Sequence, residues 1–137
     1  MNNISATDQR ALLTRLAERI IGYDPKVISE KGLWLAKLGI TDTVGVTLAG
    51  LPEDCTQIAL TAPGSALVFG TGRRTSALDA AFVNGIASHA LDFDDFSSVF
   101  GGHQSVPLVA PLFALAEDRG LSGQNLITAY AVGLEAE

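Results

Sequence analysis

Apolar residues along this chain recur mostly every three or four positions, the period of a helix with one buried face. Leu12, Leu13, Leu16, Ala17, Ile20 and Ile21 mark a first helix over about 7–21, which Gly22 can end. Asp24 and Pro25 give a second start signal, a cap followed by a first-turn proline, for a stretch that reaches Gly50. Its later half, GITDTVGVTLAG, is rich in glycine and β-branched residues and suits a strand as well as a helix. Within it, Asp42 reads as a paired polar residue of the core or as a contact to a neighbouring segment. Pro52 and Pro63 bracket a connection with room for about one helical turn, and residues 66–69 form a short apolar run compatible with a single strand.

Ser76, with Asp79 three residues on, carries a capping-box pattern that opens the next helix. Leu78, Phe82, Ile86 and Phe93 are its apolar stripe, and His89 falls on or beside that stripe. Ser105 as cap and Pro107 in the first turn start another helix, on which Val109, Leu112, Phe113 and Ala116 share a face. Pro111 either kinks that helix or marks its effective start, and Gly120 stops it. Ser122 caps a last helix with Leu126, Ile127, Tyr130, Ala131 and Leu134 on its apolar face. The pattern runs to Glu137 without a stop signal, and Glu135 and Glu137 oppose the dipole there, so this reads as a truncated helix. The predicted fold class is mostly α, with at most one short strand.

Composition narrows the functional classes. A chain of 137 residues with 47% hydrophobic content can build one domain with a core. Nine basic against fifteen acidic residues give a net charge of -6, which argues against nucleic-acid binding and against a basic membrane surface. Cys55 is the only cysteine, so an internal disulfide and a multi-cysteine metal site are excluded. The first residues are polar and every apolar run is broken well short of a membrane span, which fits a cytoplasmic protein.

The candidate chemistry lies between residues 89 and 105. Asp92, Asp94 and Asp95 close a helix, where each acid opposes the macrodipole by roughly 0.3 to 1 kcal/mol. A cost of that kind without local compensation points to function. Gly101 and Gly102 permit a tight turn that sets His103 just ahead of a helix start, whose free N–H groups suit an anion. Bland readings stand beside these: His89 as a hydrogen-bonded core residue, and the acids as a solvated turn or a divalent-cation site. No second acidic cluster completes an oxygen cage for such a cation. Gly70, Gly72, Arg73 and Arg74 form a glycine turn with two arginines that could hold a phosphate or carboxylate, or pair with nearby acids. Their spacing matches neither the P-loop nor the dinucleotide fingerprint.

NGIASHALDFDD, followed by GHQS and an apolar proline-containing helix, resembles the N-terminal signature of the MmgE/PrpD family, and GTGRRTSALDAAFVNG upstream fits it too. That family includes 2-methylcitrate dehydratases, cis-aconitate decarboxylases and iminodisuccinate epimerases. The family usually reads DFDDT and then H-P-S, whereas Phe96 stands here for the threonine and Gln104 for the proline. The resemblance implies that residues 1–137 are part of an all-helical domain, that 39–50 is helical, and that the rest of that domain and an α/β lid are absent. It implies a cofactor-free, metal-free lyase or isomerase acting on a small polycarboxylate, 2-methylcitrate dehydratase-like, by proton transfer next to a carboxylate. His103 would be the acid or base, suited to either role near neutral pH, with Asp92 orienting it or sharing the proton. Ser105, Gln104, Asp95, Arg73 and Arg74 would contact substrate, Asp94 and Asp95 would otherwise cap, pair or orient the loop, and further cations would come from beyond Glu137 or a partner subunit. The expected partners are a second copy, as a homodimer, or a companion chain. A truncated or split, non-catalytic helical module that pairs with a companion chain is the competing expectation.

Overall fold

The computed structural model describes residues 6–58, 64–99 and 101–136. Helix α1 spans Ala6–Ile21, and after a 3-10 turn at Pro25–Val27 helix α2 spans Glu30–Gly50. A short α3, Asp54–Ile58, precedes β1, Ala66–Leu67, and β2, Arg74–Thr75; then come α4, Ala77–His89, α5, Val106–Arg119, and α6, Gly123–Ala136. The mostly helical expectation holds. The strand count needs correction, because the strip at Ala66 and Leu67 pairs antiparallel with Thr75 and Arg74. A two-residue partner is too short to show a period of two, so periodicity could not announce it.

Local signals account for most helix boundaries. Ser29 Oγ accepts the Gly32 amide at 3.0 Å and starts α2, so the Asp24-Pro25 signal opens only the 3-10 turn, where Asp24 accepts from the Lys26 amide. The β-branched run inside α2 is helical because its hydroxyls are satisfied within the helix: Thr43 donates to the Gly39 carbonyl and Thr47 to the Thr43 carbonyl. Asp42 is exposed, so of its two expected placements the one in the core is excluded. Ser76 accepts the Asp79 amide at 3.1 Å, Asp79 returns the contact to the Ser76 hydroxyl, and Gly120 closes α5 as expected.

Helix α4 is packed between α2 and α5, and α6 packs against both α2 and α5. The main core joins Ala36 and Ile40 of α2, Val109 of α5 and Tyr130 of α6, with Leu112, Phe113, Leu126 and Ile127 against it. The face that α4 buries is not the expected stripe. Ala80, Val83, Asn84, Ala87 and Ser88 point inward, whereas Leu78, Phe82 and, past the helix end, Phe93 are exposed. Small residues win because backbone meets backbone here: a Cβ on Gly50 would overlap the Ala87 carbonyl. Gly50→Ala is therefore expected to push α2 off α4 and to cost about 1 to 3 kcal/mol, read as a lower denaturant midpoint with an unchanged slope. An unchanged midpoint would show that the helices separate freely.

Much apolar surface stays open. Leu12, Leu13, Ile20 and Ile21 of α1 are exposed, as are Trp34, Leu35 and Leu38 of α2.

Candidate functional site

The segment between α4 and α5 is tied at both ends before any chemistry is considered. At the start, the chain leaves α4 at His89, and the Asp92 amide bonds back to the His89 carbonyl at 3.0 Å. Asp92 adopts φ +55, the left-handed conformation that aspartate tolerates better than most residues. In the middle, Ser97 and Gly102 form an isolated bridge, and the Gly101 amide reaches the Ser97 carbonyl at 2.7 Å. Gly101 has φ +78, so the glycine supplies the turn that brings His103 back.

At the far end, Ser105 does not cap α5 with its side chain. Its hydroxyl donates to Asp95 at 2.5 Å and meets the Tyr130 hydroxyl at 2.6 Å, while its amide donates to the other Asp95 oxygen at 3.1 Å. Ser105 is fully buried. Asp95 and Ser105, expected to touch substrate, are in this structure the knot that fixes the loop onto α5 and α6.

The two remaining acids converge on the two histidines. Asp94, with 0% of its side chain exposed, has both oxygens within 3.1 Å of His89 Nδ1. Its Oδ2 is also 2.8 Å from His103 Nδ1. That second contact has the distance of an ion pair but not the alignment of a hydrogen bond, so His103 Nδ1 is buried without a hydrogen-bond partner. On its opposite edge, His103 Nε2 lies 3.4 Å from Asp92, whose side chain is 76% exposed. The imidazole rings meet edge to face at 4.7 Å, and the Phe96 ring stands 5.4 Å from His103 on another side. Phe96 thus gives the histidine an apolar edge where the resembled family has a hydroxyl.

Both rings line an open cleft of about 720 Å³ between α4 and α5, walled by Phe82, Ile86, Pro107 and Ala110. His89 is 52% exposed, contrary to the core position its stripe implied, because the inward face of α4 belongs to its small residues. His103 and Asp92 are brought together as expected, and Gln104 sits half-buried beside them. The arginines are not brought in. Arg74 donates to the Ser65 carbonyl and pairs with Glu117 at 3.5 Å, near the end of α5 remote from His103 and roughly 15 Å along that helix. Arg73 is exposed on the same hairpin, and among the described residues no arginine or lysine lines the cleft.

Asp94 and His89 are the two members that sequence reasoning did not assign to the site. No spacing rule separates Asp94 from the acids on either side of it. By donor type, His89, Asp92, Asp94 and His103 could hold a divalent transition metal, since one ligand atom from each lies within 4.8 Å of the others. Two nitrogens and a buried carboxylate can equally move and hold a proton, with each imidazole oriented by an acid.

The MmgE/PrpD N-terminal domain model matches residues 14–137. No curated protein matches the chain.

Proposed function

The chain belongs to the MmgE/PrpD family, and from that premise we propose that it supplies the His103 and Asp92 part of a lyase or isomerase site for a small polycarboxylate, 2-methylcitrate dehydratase-like and cytoplasmic. The observation that carries this reading is His103, set between Asp92 and Asp94 at the wall of an open cleft. His103 Nε2 takes the proton from the carbon next to a substrate carboxylate, or returns one to a departing hydroxyl or to the carbanion equivalent. Asp92 steadies the imidazolium that forms. Because among the described residues the cleft wall carries no arginine or lysine, the cations that neutralise substrate carboxylates come from other chain segments or a partner subunit. The test is turnover of a panel of tricarboxylates and amino dicarboxylates, followed by loss of proton signal next to the carboxylate in heavy water. Turnover or proton exchange supports the reading, and a panel with neither refutes it.

The chemistry assigned to these residues runs without a metal. Dialysis against a chelator is expected to leave turnover unchanged; a loss that a divalent cation restores would make the four donors a metal site instead.

A second reading, a non-catalytic helical module that pairs with a companion chain or with itself, is favoured by the exposed apolar faces of α1 and α2. On either reading the isolated chain is expected to self-associate, seen as a concentration-dependent mass in light scattering and as binding of an apolar dye. A monodisperse monomer that binds no dye would remove the motive for the module.

A further inference from the structure

We infer that Asp94 is a shared positioning residue that holds His89 and His103 with their Nδ1 atoms protonated, so that the site works with two outward Nε2 atoms instead of one. A fully buried carboxylate must be compensated, and among the described residues the groups facing Asp94 are the Nδ1 atoms of these two rings. An ionised carboxylate only accepts, so each nitrogen that faces it carries its proton, and the proton-free nitrogen is the one on the opposite edge. For His103 that edge turns toward Asp92, but Asp92 is 3.4 Å away with its side chain 76% exposed, so solvent satisfies that carboxylate and, unlike buried Asp94, it does not require a proton on Nε2. For His89 the edge turns away from Asp94 on a ring that is half exposed and lines the cleft.

The His89 bond is already formed, at 3.0 and 3.1 Å. The His103 contact is short but out of line. Catalytic hydrogen bonds of ligand-free sites are often poorly aligned and tighten when substrate binds. With rings 4.7 Å apart, the Nε2 of one neutral ring removes a proton from the substrate, while the other ring, which enters the step as imidazolium after taking a solvent proton on Nε2, delivers that proton to the group that leaves or to the far face of the carbon. No proton is lost: the first imidazole ends as imidazolium, the second as neutral imidazole, and solvent restores both. This assignment of His89 as a second acid or base rests on the proposed function. The tautomers do not.

The chain has only two histidines, so nitrogen-15 labelling of histidine followed by two-bond proton correlation reports each ring separately. Both neutral rings are expected as the Nδ1–H form. Asp94→Asn, which leaves one acceptor oxygen for two rings, is expected to move at least one ring toward Nε2–H while the amide spectrum stays that of a folded chain. An Nε2–H form for either ring in the unsubstituted protein overturns the inference, and so does a folded Asp94→Asn with both tautomers unchanged. Should Asp94→Asn fail to fold, the unsubstituted tautomers still decide, together with His89→Gln at its half-exposed position, in which His103 is expected to remain Nδ1–H. In the active enzyme His89→Gln is expected to lower kcat about a hundredfold with KM changed less than about threefold. An unchanged kcat removes His89 from the chemistry. If the unsubstituted enzyme turns over no polycarboxylate while the tautomers come out as stated, the reading of function fails and the positioning role stands.

Discussion

Replacing His103 by alanine is expected to lower turnover by roughly two to four orders of magnitude, the range for loss of a positioned acid or base. The fall should appear in kcat and in kcat/KM alike, because the imidazole acts on the proton in flight and not on the bound ground state. Stability should change far less, because His89 keeps its hydrogen bonds to the buried Asp94. The His103 Nδ1 makes no hydrogen bond, the ring is partly exposed, and the loop around it is held by Ser97, Gly102 and the Asp95–Ser105 pair. Steady-state kinetics beside a denaturant curve separates the two effects. Full activity in a folded His103→Ala would leave the loop as a structural turn.

The other large effect is expected at Asp95, and it is on stability. Asp95 accepts from both the amide and the hydroxyl of Ser105, and that hydroxyl also meets Tyr130 from α6. Hydrogen bonds to a charged group contribute about 1.5 to 3 kcal/mol each, and these two share a partner and do not add in full. Asp95→Ala should therefore cost about 3 kcal/mol, a drop in the urea midpoint of roughly 1 to 2 M. Asp95→Asn keeps one acceptor and should cost less. If the two substitutions leave the same midpoint as the unsubstituted chain, the knot is decoration on a loop held by other means.

How much of this was legible in the sequence depended on the range of the deciding interaction. Ser76 with Asp79, Gly120 and Ser122 were readable because a cap is settled within a turn of its own residue. Ser105 has the same local signature, yet Asp95, ten residues before it, and Tyr130, twenty-five after it, take its hydroxyl. Hydrophobicity misplaced His89 because it weighs Leu78 and Phe82 above Ala80 and Ala87, whereas the close approach of α2 to α4 selects for small size. The pairing of His103 with Asp92 was foreseeable from a loop that must return in about ten residues. Which acid lies buried between the histidines depends on the left-handed turn at Asp92, and no periodicity encodes it.

That turn also bears on how any substitution at Asp92 is to be interpreted. Most side chains pay roughly 1 to 2 kcal/mol in the left-handed region, while asparagine and glycine enter it readily. Alanine at this position would thus remove a carboxylate and oppose the backbone at the same time, and a loss of activity could come from a displaced loop as well as from missing charge. Asparagine keeps the shape and the backbone preference while deleting only the charge, and glycine keeps only the backbone preference. Comparing Asn, Gly and Ala at this one residue therefore apportions its contribution between charge, side-chain contact and main-chain conformation, which an alanine scan of the loop would merge into one number.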